Sequence, residues 1–439
     1  MKSMAEWYQS AFETLEKSLN GEAQSELHAI RKKALTRFTE LGFPTTRHEE
    51  WRFTNVAPVS GTPFNPVPAG RISVISMSEM RKHLLPDAHN LVFIDGHFVP
   101  SLSNIDRLPE GVIVCSLAEA SRQYSALLQD QFARYAPGDE NPFVALNTAF
   151  ALDGAFVHVP DGIRIMNPVH VLFAASGEHH ALIPPRNLFL VGRNAQVSLV
   201  ESYVAVHDGV YFTNVVTELV AGKGSAIEHD KLQDESRSAY HIAWTHIVQQ
   251  EQSTVTSNLI AVGGSIARSN VTVVLDAEGS VCTLNGLSLA TGTQLIDNHT
   301  TIDHAKPHCE SHELYKAILD GKSHGVFNGK IFVRKDAQKT DAKQTNQTLL
   351  LSDEAVMDTK PQLEIFADDV KCTHGATVGQ LDADQIFYLR SRGLDLLQAR
   401  DMLTFAFAAD VVQRVHVSRL REQLESLIHA RLHAGRITT

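Results

Sequence analysis

Hydrophobic positions recur at helical spacing in the first part of the chain. One series is Tyr8, Phe12, Leu15 and Leu19, and a second is Leu27, Ile30, Ala34, Phe38 and Leu41. Two short amphipathic helices leave their apolar faces uncovered, so we expect both to dock on another part of the protein. A Pro- and Gly-rich stretch at 58–70 is typical of a connector. Residues 1–90 are therefore predicted to form an N-terminal helical domain with a linker.

The pattern changes to short apolar runs in residues 91–380. A first pair of runs flanks the turn Asp95-Gly96 and predicts a hairpin, and a helical segment follows at 117–135. From about residue 156 the chain is a series of strand-like runs between turns. Clear examples are 169–173, 188–191, 197–200, 271–275, 281–284 and 329–333. This zone is predicted to be mainly β.

A sandwich, a barrel and a solenoid all fit so many short strands. Two features favour the solenoid. A turn-plus-strand phrase recurs at Gly192, Gly222 and Ala277, and strands such as 344–351 carry Thr, Asn and Gln among the aliphatic residues. Stacked coils place equivalent positions above one another and tolerate such polar ladders. The period is irregular, so the pattern leaves the three architectures open.

Residues 381–439 are again helical in pattern. Asp382 or Asp384 is placed to cap a helix that ends before Gly393, and Asp395 opens a second segment. Beyond it lies an apolar stripe: Leu420, Leu424, Leu427, Ile428 and Leu432. The stripe either folds back on the protein or binds a partner. We expect it, with the turn at 405–407, to supply exposed apolar surface for a partner.

Composition and charge exclude several classes of protein. Hydrophobic residues make up 43% of the 439 residues and the mean hydropathy is -0.11, which fits a globular protein. The net charge is -11 and no polybasic run is present, so neither nucleic acid nor an anionic membrane surface is an expected partner. The four cysteines form no CxxC pair, and the first residues lack the apolar stretch of a secretory signal. These features predict a cytoplasmic protein.

Two sequence patterns invite a functional interpretation and are better explained otherwise. Gly321-Lys322-Ser323 has Lys316 where a phosphate-binding loop needs its first glycine, so we interpret it as a turn and expect no nucleotide on this chain. The residues His299, His304, His308, Cys309 and His312 are spaced irregularly and match no metal template. The segment is interpreted as a polar strand–turn–strand with solvated imidazoles, with metal binding left open.

Cys372-Thr373-His374 is a sharper candidate for chemistry. Residues two apart in a strand project to the same face, so the thiol of Cys372 and the imidazole of His374 are expected side by side. Both ligate ferrous iron once deprotonated. Two ligands do not close a site, so others must come from another chain or from sulfide. A buried cysteine beside a structural histidine is the alternative.

Longer phrases resemble the SufB/SufD family of SUF iron–sulfur cluster assembly proteins. The most specific of these segments spans residues 358–379 and continues at 384–393. The other segments are 41–54, 93–100, 297–309 and 319–330. The resemblance covers nearly the whole chain. The phrase Lys371-Cys-Thr-His-Gly-Ala-Thr377 is similar to the SufD branch, and 357–365 lacks the cysteine of the SufB branch. Phe53 stands where the family commonly has Tyr.

The resemblance implies a right-handed parallel β-helix core flanked by helical domains, and a scaffold rather than an enzyme. It implies a SufB-type partner at the β-helix end and a SufC-type ATPase bound through the C-terminal helices, which carries the ATP. A cysteine desulfurase system supplies sulfur indirectly. It also implies a transient Fe–S cluster at the partner interface, with His374 and Cys372 of this chain as ligands. A reduced flavin is associated with such complexes, but the sequence holds no flavin fingerprint.

Two other functions remain as alternatives. A SufB-like sulfur acceptor would carry persulfide on Cys282, Cys309 or Cys372. A β-helix polysaccharide-active enzyme would be secreted and would need acids and bases on successive coils. In isolation the chain is expected to form homodimers, because a solenoid end is an open row of backbone hydrogen-bonding groups.

Overall fold

The structure is a computed structural model that describes residues 4–19, 25–68, 75–105, 107–136 and 138–434. Its helices are α1 (Met4–Ser18), α2 (Glu26–Leu41), α3 (Ala57–Ser60), α4 (Met77–Met80), α5 (Leu117–Gln123), α6 (Ser125–Gln129), α7 (Pro142–Phe150), α8 (Ala383–Ser391), α9 (Leu396–Val412) and α10 (Ser418–Ala434). The strands of its first sheet are β1 (Asn65–Pro66), β4 (Ile113–Ser116), β5 (Ala155–Val159), β7 (Ala181–Ile183), β8 (Arg186–Val191), β10 (Phe212–Ala221), β12 (Tyr240–Gln249), β14 (Ile266–Leu275), β16 (Leu295–His304), β18 (His324–Val333) and β20 (Val356–Ile365). Those of its second sheet are β2 (His89–Ile94), β3 (His97–Phe98), β6 (Val169–Ala175), β9 (Gln196–Ala205), β11 (Ala226–Asp234), β13 (Thr254–Ala261), β15 (Val281–Ala290), β17 (Glu310–Leu319), β19 (Asp341–Leu350) and β21 (Lys371–Gly379).

The chain winds alternately through the two sheets. From β8 onward each strand pairs in parallel with the strand two places along the chain, β8 with β10, β9 with β11, and so on to β21. Each coil therefore contributes one strand to each sheet, and the coils stack into a parallel β-solenoid. The solenoid prediction is confirmed, and the sandwich and the barrel are wrong.

Equivalent positions of successive coils lie directly above one another. Pairing is one to one over ten residues, as from Ile266 on Leu295 to Leu275 on His304. Inward positions form columns inside the space between the sheets, the lumen. One such column is fully buried and wholly apolar: Phe189, Leu219, Ile247, Val273, Ile302 and Ile331. Burial of these columns drives the stacking.

The N-terminal helices dock on the outside of the first sheet, as expected. Tyr8 and Phe12 of α1 and Phe38 of α2 pack with Phe143 and Phe150 of α7. This cluster continues onto three residues of the solenoid wall: Leu182, Phe212 and Ile242. The sequence patterns predicted the helical segment at 117–135, present as α5 and α6, but they missed α7.

The C-terminal helices cover the outside of the second sheet. Asp382 caps α8, Gly393 follows it with φ +96°, and Asp395 caps α9, as predicted. The apolar stripe of α10 packs inward, so the expectation that it is exposed was wrong. Its buried members are Leu420, Leu424 and Ile428, which pack with Leu232, Ile260 and Ile318 of the solenoid. The exposed apolar residues of this region are Phe387, Tyr388, Leu396, Leu397 and Met402.

The two ends of the solenoid differ. At the start of the solenoid, β3 pairs antiparallel with β2 and β4 pairs antiparallel with β5. These two antiparallel pairs terminate the parallel stack. At the finish, β20 and β21 each pair on one side, and no further described strand covers the other. Apart from the partly buried Cys372, every residue of β21 is exposed, whereas Lys343 is the only exposed residue of the preceding β19. We call β20 and β21 the open end.

A buried ion pair joins the solenoid to the segment before α7. Arg186 and Glu218 are both fully buried, with Nη2 and Oε2 2.8 Å apart. Glu218 also accepts hydrogen bonds from the backbone N–H groups of Ala133, Tyr135 and Ala136. Removing one charge leaves the other buried and unpaired, which is far costlier than losing an exposed pair.

We therefore expect Arg186→Ala to lower the free energy of unfolding by about 3–5 kcal/mol. Arg193→Ala is the matched control, because the exposed Arg193–Asp161 pair lies just beyond the end of the same strand. The denaturation midpoint of this variant should hardly move. Denaturant titration followed by circular dichroism measures both. Equal midpoints for the two variants would show that the buried pair does not anchor this segment.

Candidate functional site

Cys372 and His374 lie on the last strand of the open end. In the register between β19 and β21, Cys372 stacks on Ala342 and His374 on Gln344. Ala342 and Gln344 are 0% and 1% exposed, since both face the lumen. The same columns therefore direct Cys372 and His374 to the inner face, as the i, i+2 spacing predicted. The two side chains stand at the mouth of the lumen.

The environment sets the protonation of the cysteine. Burial, and secondarily the carboxylate of Asp341, raises the pKa of the Cys372 thiol. The thiol is therefore protonated at neutral pH and must lose its proton before it binds a metal. His374 is exposed. This chain alone brings two ligand-type side chains to the mouth, and the described residues contain no group of three or more His, Cys, Asp or Glu side chains placed to hold a metal.

The rim of the mouth is apolar. Four large hydrophobic side chains are exposed here: Val356, Ile365, Phe366 and Val378. They surround two strand edges whose backbone N–H and C=O groups are free to pair. Exposed apolar residues next to unpaired strand edges are typical of a surface that binds another chain.

The histidine-rich segment is largely built into the wall. His299 lies between two carboxylates, 3.0 Å from Asp297 and 3.3 Å from Glu50. Burial lowers the pKa of His299, but Asp297 and Glu50 outweigh it and the pKa is raised. Arg268 completes the cluster, 2.9 Å from Asp297. The sequence segments 41–54 and 297–309 are therefore in contact, and this contact joins the N-terminal domain to the solenoid.

The prediction that these histidines are solvated holds for His308 and His312, whose side chains are 57% and 41% exposed. It is wrong for His299 and for His304, which is buried and bonded to Ser311 at 2.8 Å. The sequence pattern missed the contact of His299 with Glu50 because these two residues are far apart in the chain.

The other cysteines are buried. Burial raises the pKa of Cys115 to about 12 and also raises that of Cys282 and Cys309. All three are therefore poor nucleophiles in the folded chain. Gly321-Lys322-Ser323 forms the turn between β17 and β18, with φ +66° at Gly321 and Lys322 paired to Glu354 at 2.9 Å. The turn interpretation is confirmed.

These features define a parallel β-solenoid with flanking helices, one open end and a thiol–imidazole pair at its mouth. Family comparison matches residues 173–407 to the SufBD core domain of the SUF system for FeS cluster assembly, and residues 2–171 to the SufBD N-terminal region. The chain belongs to the SufBD family.

Individual relatives agree with this assignment. An iron–sulfur cluster assembly SufBD family protein of Synechocystis is 34% identical over 93% of this chain and 96% of that protein. SufD of Escherichia coli is 32% identical over 91% of this chain and 92% of that protein. SufB of Bacillus subtilis is 25% identical over 68% of this chain and 64% of that protein. Within the described residues, no helix has the length and apolar character needed to cross a membrane.

Differential burial predicts that Cys372 is the thiol that reacts in the native protein. Maleimide should label Cys372 first, and the rate should rise about tenfold per pH unit below its raised pKa. Peptide mass mapping after a short labelling time identifies which cysteine carries the maleimide. Cys372→Ser should remove the fast label, whereas unfolding in denaturant should expose the remaining cysteines. Equal native labelling of Cys282 and Cys372 would contradict the burial described here.

Proposed function

We propose that this chain is a SufD-type scaffold subunit of an iron–sulfur cluster assembly complex, with no catalytic activity of its own. The observation that carries the proposal is the position of His374 and Cys372 at the mouth of an open solenoid end. The longer alignment to SufD of Escherichia coli than to SufB of Bacillus subtilis supports the SufD branch.

In this proposal a SufB-type paralogue docks on the open end. Its own terminal strands continue the two sheets from β20 and β21, and the exposed apolar rim at Val356, Phe366 and Val378 becomes buried. Each added strand satisfies backbone groups that are otherwise left to water. The same edges support homodimer formation when the partner is missing.

A nascent cluster is the substrate held at this seam. His374 supplies an imidazole nitrogen, Cys372 a second ligand after deprotonation, and the partner the remaining ligands. Iron sites of this kind need about four ligands, and this chain brings two ligand-type side chains to the mouth. Sulfur arrives from a cysteine desulfurase system through the partner chain. The burial of Cys282 and Cys309 disfavours the alternative in which this chain accepts persulfide there.

A SufC-type ATPase docks on the C-terminal helices in the same proposal. The face available for it is formed by Phe387 and Tyr388 of α8 and Leu396, Leu397 and Met402 of α9. These side chains project away from the solenoid, whereas the stripe of α10 is covered by it. Nucleotide is carried by the ATPase and the complex works in the cytoplasm.

We expect His374→Ala to leave folding, complex formation and ATP hydrolysis intact while the iron and acid-labile sulfide of complexes isolated from cells fall at least tenfold. Cys372→Ser should lower them less, because its thiol is half-buried and protonated at rest. His312→Ala is the matched control, since His312 lies on the outer face of β17. Normal cluster content in His374→Ala would refute the ligand role. A variant that fails to assemble would show a structural role instead.

Docking of the ATPase is tested by the double variant Phe387→Ser and Leu397→Ser. The two side chains are 74% and 56% exposed, so the melting curve should stay unchanged while co-purified ATPase falls at least tenfold. Leu127→Ser, at an exposed apolar site on α6, is the control and should retain the ATPase. Full retention by the double variant would place the ATPase elsewhere.

A further inference from the structure

Gln344 lies directly beneath His374 in the stacked columns of the last coils. The register pairs Gln344 of β19 with His374 of β21, and Glu313 of β17 with Gln344. Neighbouring strands are about 4.8 Å apart, so side chains that share a column are immediate neighbours. Gln344 is 1% exposed, because it points into the lumen. It therefore forms the floor beneath the imidazole at the mouth.

The side-chain amide of Gln344 has a fixed orientation. Its Nε2 donates a hydrogen bond to Oε2 of Glu313 at 2.6 Å. Burial raises the pKa of Glu313 to about 7, and above this pH the side chain is a carboxylate that can only accept hydrogen bonds. The NH₂ group of the amide must therefore face Glu313. The amide oxygen Oε1 is left without a hydrogen-bond partner among the described residues.

The opposite wall of the lumen leaves room for this amide at a glycine. Gly329 of β18 lies across from it, and a Cβ at this position would overlap the amide group of Gln344 and the ring of Phe327. A larger residue at 329 would therefore displace the Gln344 side chain. Glycine inside a strand is typical of a place where another group approaches the backbone closely. The packing thus holds the amide in the column beneath His374.

The neighbouring columns of the mouth lack such an arrangement. Cys372 stacks on Ala342, whose methyl group neither donates nor accepts a hydrogen bond. Asn346 has an amide oxygen with no partner among the described residues, but it lies beneath Ala376, which has no polar side-chain atom. Among these columns, a free acceptor lies beneath a ligand-type side chain at Gln344 alone.

A neutral imidazole that binds a metal through one ring nitrogen carries a proton on the other, and this N–H group is almost always held by an acceptor. We infer that Gln344 is the positioning residue for His374, because its Oε1 can accept the N–H of one ring nitrogen and so direct the other to the metal. The inference rests on the proposed function and deepens it, since it concerns the same ligand. In the uncovered chain the imidazole is exposed, and the contact forms when the partner covers the mouth. Glu313 acts through the orientation of the amide.

The iron and acid-labile sulfide of complexes isolated from cells test this role. Gln344→Leu nearly keeps the volume of the side chain but removes the acceptor, so cluster content should fall about tenfold while the complex still assembles. Asn346→Leu is the matched control, because it removes a buried amide of the same strand from a column that carries no ligand. It should retain the cluster. Equal cluster content in the two variants would overturn the inference.

Exchanging the two polar residues separates positioning from a structural role. In the double variant Glu313→Gln and Gln344→Glu, the amide introduced at 313 donates to the carboxylate introduced at 344, whose second oxygen still faces His374. This double variant should recover most of the wild-type cluster content. A double variant that assembles the complex but holds as little cluster as Gln344→Leu would contradict the positioning role.

A crystal structure of the wild-type complex loaded with Fe²⁺ does not depend on the folding of a variant. The ring nitrogen of His374 that does not bind iron should lie within about 3.2 Å of Oε1 of Gln344. An iron-bound His374 whose other nitrogen faces water would overturn this inference alone. Normal cluster content in His374→Ala would instead refute the proposed function, and this inference with it.

Discussion

Each coil of a parallel solenoid is stable because the next coil covers it, and this protein has a last coil that nothing in the described chain covers. The backbone hydrogen bonds of β20 and β21 are satisfied on one side, while every side chain of β21 except that of Cys372 is exposed to solvent. The beginning of the solenoid, by contrast, is ended by antiparallel strands. The open edge, its apolar rim and the accessible His374 are all consequences of this one asymmetry.

Local signals made much of the fold predictable from the sequence. The helix ends depend on contacts within a few residues, as at Asp382, Gly393 and Asp395. The strands were predicted from short apolar runs between turn residues. The choice of a solenoid depended on the resemblance, because the coils are unequal in length. The stacked positions Tyr240, Ile266, Leu295, His324 and Val356 show this uneven spacing, which arises in the turns while the strands stay in register.

The same distinction applies to the site. Cys372 and His374 share a face because they are two residues apart, so a rule about strands was sufficient. The pairing of His299 with Glu50 and the position of Glu313 below His374 depend on contacts between distant parts of the chain. The burial of the α10 stripe is a further case, since amphipathicity shows that a face is apolar but not what covers it.

The open end also determines how far a bound chain would change the surroundings of the two ligand-type side chains. A chain that extended the sheets over β21 would displace water from His374, and a metal bound by its imidazole would then be less exposed to competing water. His374 is exposed, whereas Cys372 is already partly buried by this chain. Docking at the open end would therefore change the surroundings of the imidazole more than those of the thiol.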